Sequence, residues 1–352
     1  MFRQRLSATL LGLLAVAAAG LPAAARAADS AVILMYHRFG EGKYPSTSIS
    51  LEQFDSHLQE LKTGGYTVLP VPEILDAMAA GRDLPDRTVG ITVDDAYLSV
   101  YTEAWPKFRQ AGFPFTLFVA TDPVDRATKA GGEGIGGYMT WEQVRELAQG
   151  GVTIGSQTAS HLHMATASPE RNRADLERSN ARFAAELPGT PVKLFAYPYG
   201  EASLAAAEAV RAAGFTAAFG QHSGAMGRTA EPDYLPRFAL NEHYGDLARF
   251  KLVTSTLPLP VSDVTPADPL VTDNNPPAIG FTIAGEVGRL DQLNCFISPD
   301  EAHVERLGDT RIEVRVDNPF PAGRTRLNCT VPADGGRWRW YGRQFVVPNG
   351  SD

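Results

Sequence analysis

From residue 31 to about 255 the chain alternates short apolar runs with stretches of helical period. The runs are Ala31–Tyr36, Tyr66–Val68, Thr88–Val93, Phe115–Val119, Val152–Gly155, Val192–Ala196, Phe215–Phe219 and Arg237–Leu240. Most are continuously apolar, which fits strands buried on both faces; a half-exposed strand would alternate. Helices with legible start signals lie between them. Ser50 with Gln53 makes a capping box ahead of the stripe Leu51, Phe54, Leu58 and Leu61, which stops at Gly64-Gly65. Thr140 with Gln143 repeats the device. Ser168-Pro169 opens a third helix carrying Leu176, Phe183 and Leu187, and Pro188-Gly189 closes it. Repeated βα units of this kind predict parallel strands, in a (β/α) barrel or a doubly wound sheet.

The polar residues favour the barrel. His37, Asp94 and Asp95, the segment from Gln157 to His163, Tyr197 to Tyr199, His222 and Arg237 each fall at or just past the C-terminal end of a predicted strand. Barrel enzymes place their chemistry there, so residues far apart in sequence are expected to converge in space.

Beyond residue 255 the helical period disappears. Leu257-Pro258-Leu259-Pro260 and Asp273-Asn274-Asn275-Pro276-Pro277 are rich in Pro and Asn, and short alternating runs follow, among them Ile279–Ile283, Arg311–Val316 and Thr325–Cys329. The reading is a barrel domain over 28–260, a connector over 261–277 and a small all-β sandwich over 278–352. In that sandwich Trp338 and Trp340 share one strand face and Arg337, Arg339 and Tyr341 the other, and we read the paired tryptophans as core packing in preference to a sugar-stacking platform.

Residues 1–27 stand apart. Arg3 and Arg5 precede an apolar stretch from Leu6 to Leu21, and the small-residue triplet Ala25-Arg26-Ala27 follows, which predicts a secretory signal peptide cleaved after Ala27. Cleavage removes Arg3, Arg5 and Arg26 and no acid, taking the net charge from −8 to −11. No later segment approaches a membrane span. An acidic exported chain lacks the basic footprint that nucleic acid or an anionic membrane surface requires, so the expected substrate is neutral or cationic. Export to the periplasm or the medium also means an oxidising compartment, where the only two cysteines, Cys295 and Cys329, are expected to form one disulfide that staples the small β-domain.

Three strand-end segments carry candidate chemistry. Ile91-Thr92-Val93-Asp94-Asp95-Ala96 ends a buried strand on two adjacent carboxylates, a costly placement that suits a metal site better than a solvated turn. Gly155-Ser156-Gln157-Thr158-Ala159-Ser160-His161-Leu162-His163 offers side chains two and four residues apart, compatible with neighbouring ligands on one divalent ion such as zinc. Phe195-Ala196-Tyr197-Pro198-Tyr199-Gly200 is a rigid turn able to present a backbone N–H to a developing oxyanion.

Together these residues resemble the polysaccharide deacetylases of the NodB-homology type, carbohydrate esterase family 4. The resemblance covers residues 31 to about 255 and includes the opening Ile33-Leu34-Met35-Tyr36-His37. It implies a distorted seven- or eight-stranded (β/α) barrel and a metal-dependent hydrolase acting on C–N bonds other than peptide bonds. Acetyl groups on a polysaccharide or oligosaccharide would be its substrate, N-acetyl in preference to O-acetyl. The family's Thr-Phe-Asp-Asp-Gly falls on Thr92 to Ala96, which implies Asp94 as general base and Asp95 as metal ligand. Its His-Ser/Thr-x-x-His falls on Gln157 to His161, implying His161 as a second ligand. Its Arg-x-x-Pro-Tyr segment aligns with Phe195 to Tyr199, placing Tyr197 and Tyr199 at the substrate and oxyanion, and Leu235-Pro236-Arg237 resembles the late segment whose Arg orients the catalytic Asp.

Besides the family's Arg, absent at Phe195, the chain departs from the pattern at three points. Gln157 stands where the family has its first ligand His, so either its carbonyl oxygen coordinates zinc or His163 replaces it. Ala96 replaces Gly, which matters if that position needs positive φ. The late segment that supplies the family's catalytic acid has no clear counterpart, leaving His37 and His222 as candidates. The alternative to an active deacetylase is therefore a catalytically impaired barrel that binds carbohydrate. A two-carboxylate glycosidase fits less well, because sequence-adjacent Asp94 and Asp95 cannot face each other across a glycosidic bond. Peptidoglycan, poly-N-acetylglucosamine, chitin oligomers and O-acetylated xylan all meet the description of the substrate, and the sequence sets no oligomeric state.

Overall fold

The structure is a computed structural model that describes residues 27–131, 137–298 and 300–348. Apart from Ala27, the expected signal peptide lies outside these residues. Among the described residues no helix is long and apolar enough to cross a membrane.

The expected strand runs assemble into one curled sheet. Its parallel order runs from Ala217–Phe219 through Leu194–Ala196, Thr153–Ser156, Thr116–Val119 and Thr88–Asp94 to Ser30–Tyr36. Thr67–Val68 joins the start of Thr88–Asp94, and Phe238–Ala239 pairs in parallel with Leu34 and Met35. Leu235 bridges to Phe219, so the segment from Leu235 to Ala239 links the two edges of the sheet. The result is a half-barrel whose parallel strands all end at one rim.

The helices obey the start signals. Ser50 and Gln53 form a reciprocal capping box on Leu51–Thr63, Thr140 and Gln143 form another on Trp141–Gln149, and Ser168 caps Pro169–Glu186. Each turns an apolar stripe onto the sheet: Phe54 and Leu61 from the first, Val144 and Leu147 from the second, Leu176 and Phe183 from the third, all buried.

The C-terminal region is all β. One four-stranded sheet holds Leu257–Pro258, Trp338–Val347, Gly323–Pro332 and Asn294–Ser298; the other holds Val261–Thr265, Ile279–Ile283, Arg311–Arg315 and His303–Leu307. Phe281, Ile312, Val331 and Phe345 fill the space between them, and the Cys295–Cys329 disulfide joins directly opposed residues of two paired strands.

Two sequence expectations need correction. Residues 261–277 are not a bare connector, because Val261–Thr265 is an edge strand paired with Ile279–Ile283. Asn275 also exchanges two hydrogen bonds with the backbone of Phe320, closing the strand-like pattern that its neighbouring prolines cannot make. The tryptophan face does not fill the sandwich. Trp340 packs edge-on against Phe238 of the half-barrel, Trp338 is 37% exposed, and Tyr341 on the opposite face packs on Phe281.

Backbone contact at one point brings the β region onto the half-barrel. A Cβ built on Gly342 would lie 2.1 Å from the Ser223 carbonyl oxygen, so only glycine permits the strand Trp338–Val347 to lie this close.

Candidate active site

The rim holds the predicted chemistry. Asp94 is the last residue of its strand, and its side chain is fully buried. A buried carboxylate needs paired charge and hydrogen bonds, and Arg237 supplies both: Nη1 donates to Oδ1 at 2.7 Å and Nη2 to Oδ2 at 2.9 Å. Arg237 is itself fully buried and is aimed by the Gly220 carbonyl, which accepts from Nε at 2.9 Å, and by Thr92 Oγ1. His37, at the mouth of the first long strand, brings Nε2 to 3.8 Å from Asp94 Oδ2.

Asp95 and Gln157 emerge on either side of the strand Thr116–Val119. The Asp95 N–H donates to Phe118 O, and the Gln157 N–H donates to Val119 O. Asp95 Oδ1 faces His161 Nε2 at 3.2 Å. Burial alone would raise the Asp95 carboxyl, but the adjacent His161 and the nearby His37 outweigh it and push it down to about 2. The segment after Gln157 is held by Asp175, whose Oδ2 accepts from the backbone of Ala159 and Ser160.

The donors fit a divalent cation. Asp95 is an ionised oxygen donor, His161 a nitrogen donor, and the amide of Gln157 is fully buried with neither its oxygen nor its nitrogen hydrogen-bonded. A buried amide without partners costs about 1–3 kcal/mol, so Gln157 has coordination capacity to spare. Two ligands about 2.0–2.1 Å from a tetrahedral ion stand roughly 3.3 Å apart, close to the Asp95–His161 separation.

The site is backbone-strained. Five of the eight described non-glycine residues with positive φ lie in its three loops: Asp95, Ala96, Thr158, His161 and Tyr199. Left-handed backbone costs such residues about 1–2 kcal/mol each and persists where surrounding structure enforces it. Ala96, with φ of 54°, therefore occupies a position that favours glycine.

Three sequence candidates are displaced. His163 does not turn toward Asp95; its Nδ1 pairs with Glu201 at 2.7 Å and its ring stacks flat on Tyr199 at 4.0 Å, so Tyr199 stands between it and His161. His222 is not placed as an acid either. Burial first, and then the charges of Arg343, Arg237 and Arg326, push it down to about 3, and it faces a separate cleft between the half-barrel and the β region. Tyr197 lies in the core and donates its hydroxyl to Asp233 O, away from the groove.

His37, Asp95, His161 and Tyr199 instead line a groove of about 450 Å³, within the range of ligand clefts. Sequence reasoning missed part of its wall. Tyr97 and Tyr138 stack at 4.9 Å, with the Arg38 guanidinium 3.4 Å from the Tyr97 ring centre, and Arg324 reaches in from the β region. Tyr97 could have been suspected from its place two residues after Asp95. Nothing in the sequence points to Arg324.

The curled parallel half-barrel matches the fold of solved NodB-type deacetylase structures. Residues 81–218 match the family model described as polysaccharide deacetylase. The Bacillus subtilis protein YxkH, provisionally named a polysaccharide deacetylase, is 29% identical over half of this chain and 60% of its own length. The poly-β-1,6-N-acetyl-D-glucosamine N-deacetylase of Escherichia coli K12 is 28% identical over 54% of this chain, which spans only 33% of that enzyme. Among solved structures, IcaB from Ammonifex degensii aligns with a TM-score of 0.55 at 27% identity, covering 65% of this chain and 98% of its own. The Streptococcus pyogenes deacetylase PplD, in complex with acetate, shares the fold at a TM-score of 0.57 and 20% identity, covering 64% of this chain and 98% of its own.

Proposed function

We propose that this chain is an exported, metal-dependent polysaccharide N-deacetylase that removes acetyl groups from an N-acetylglucosamine polymer. The observation that carries the reading is the meeting of four groups at one rim: the Arg237-bound Asp94, His37 beside it, and the facing Asp95 and His161. The two N-deacetylase relatives from Escherichia coli and Staphylococcus aureus favour poly-β-1,6-N-acetyl-D-glucosamine over the other acetylated glycans.

A divalent ion, with zinc the best match to a carboxylate, imidazole and amide set, supplies positive charge that polarises the acetyl carbonyl and acidifies water. Asp95, His161 and Gln157 would hold it. Asp94 takes a proton from the water that attacks the acetyl carbon. Arg237, gripping both Asp94 oxygens, fixes the direction in which that carboxylate accepts. The Tyr199 N–H donates to the acetyl oxygen as it gains negative charge. His37, carrying a proton, gives it to the sugar nitrogen as the C–N bond breaks, so one amide and one water become acetate and an amine.

Acetate release from N-acetylated β-1,6-glucosamine oligomers, chitin oligomers, peptidoglycan and O-acetylated xylan tests this reading. Release should be fastest on the first, with one free amine per acetate. Release from xylan without amine formation would overturn the N-acetyl assignment.

Gln157 supports a second reading, a glycan-binding barrel with impaired turnover, because a neutral amide binds zinc more weakly than the imidazole it replaces. Measurable acetate release by the unaltered chain decides against it.

A further inference from the structure

We propose that the C-terminal β region is a working part of the candidate active site: Gln344 and Arg324 clamp the Tyr199 turn and thereby position Tyr199 and His161. The assignment rests on the deacetylase reading for its kinetic consequence and on geometry alone for the clamp.

Tyr199 sits at φ 58°, a left-handed conformation its side chain disfavours, so something must hold it there. Its carbonyl is taken by two donors from the β region, Gln344 Nε2 at 3.1 Å and Arg324 Nη1 at 3.3 Å. Gln344 is fully buried, and its own oxygen accepts from Arg326 Nε at 2.9 Å, which fixes the amide with its nitrogen toward Tyr199. The ring is held as well. One face lies flat on His163, which is locked by Glu201, and Glu201 Oε1 lies 3.8 Å from Arg324 Nε. The Tyr199 ring in turn meets His161 edge to face at 4.5 Å. A continuous set of contacts therefore runs from the strands Gly323–Pro332 and Trp338–Val347 to the imidazole facing Asp95. The next carbonyl is held in the same way, with Tyr234 Oη donating to Gly200 O at 2.8 Å. Arg324 also lines the groove, so the β region contributes part of the wall along which a glycan would lie.

Gln344 and Arg324 are positioning residues, and the test separates that role from a structural one. Gln344→Glu keeps the Arg326 contact but presents no donor to Tyr199; Arg324→Ala removes the second donor at an exposed side chain, and Arg324→Lys restores a cation. In the full chain, amide hydrogen exchange of residues 195–203 and 157–164 should rise at least severalfold in Gln344→Glu and in Arg324→Ala. Exchange in the strand Thr88–Asp94 should stay the same. On an N-acetylated β-1,6-glucosamine oligomer, kcat should fall at least tenfold in Gln344→Glu with KM within about twofold, and Arg324→Lys should recover most of the Arg324→Ala loss. Exchange that rises only within residues 323–347, or unchanged exchange at 157–164, would overturn the clamp and leave the deacetylase reading intact. Coupled exchange in a chain that releases no acetate from any glycan would support the clamp and sink the deacetylase reading.

Discussion

Arg237 grips both carboxylate oxygens of Asp94, at 2.7 and 2.9 Å, with both side chains fully buried. The two residues stand 143 positions apart, and the pair joins the central strand to the segment that links the sheet's edges. A buried pair of this kind is worth little relative to apolar packing, but removing one partner strands the other charge at a cost of about 3–5 kcal/mol. Arg237→Leu should therefore lower the unfolding free energy by that amount, read from urea unfolding. Asp94→Asn keeps the shape but leaves the buried Arg237 charge without its counterion, so it should lose stability of the same order, and in the folded variant acetate release should fall at least 10²-fold because the amide no longer takes a proton. Retained turnover in Asp94→Asn would remove Asp94 from the base role.

Gln157 stands where the resemblance to the deacetylase family calls for a ligand His, and its amide is fully buried and unpartnered. Gln157→His should tighten zinc binding at least tenfold by calorimetry and raise acetate release in parallel. Weaker binding in the variant would show that the position does not face the ion.

His57 predicts acid sensitivity outside the site. Its ring accepts or donates to Tyr36 Oη at 3.0 Å and Gly245 O at 2.8 Å and lies flat on Phe250, and burial pushes it down to about 4. The folded state keeps this imidazole neutral while an unfolded chain takes up a proton near pH 6.5, so stability is full above about 6.5 and is lost as pH falls toward 4. The loss from this one group is roughly 3 kcal/mol. Urea midpoints of the wild type and His57→Gln, compared from pH 7.5 to 4.5, should show a distinctly flatter profile in the variant. Parallel profiles would contradict the assignment.

The Cys295–Cys329 bridge closes a loop with a sequence separation of 34. A loop of that size is expected to contribute about 3–4 kcal/mol by restricting the unfolded chain. Cys295→Ser with Cys329→Ser should lower the melting temperature, and if the β region clamps Tyr199, acetate release should fall at temperatures where the half-barrel still holds its helices. Circular dichroism followed alongside activity measures both.

Much of this arrangement was legible in the chain. The eight apolar runs became strands within a residue or two, because a sheet buried on both faces writes itself as continuous apolar sequence. Asp94, Asp95 and His161 were readable because each ends or follows such a run, and Arg237 because it opens one. His163 and His222 were misread because sequence spacing does not reveal which way a ring turns: Glu201 holds one, and burial among three arginines claims the other. The strand in Val261–Thr265 was hidden by the prolines around it. Arg324 and Gln344 left no signal, since their role depends on how the β region docks on the half-barrel, as at the close approach of Gly342 to Ser223.

The proposed chemistry requires a divalent ion held by Asp95 and His161. Elemental analysis of the chain after zinc loading and dialysis should give about one zinc per chain in the wild type and in Asp94→Asn, and none in Asp95→Ala or His161→Ala. No bound zinc in the wild type, or equal loss in Asp94→Asn and Asp95→Ala, would contradict it.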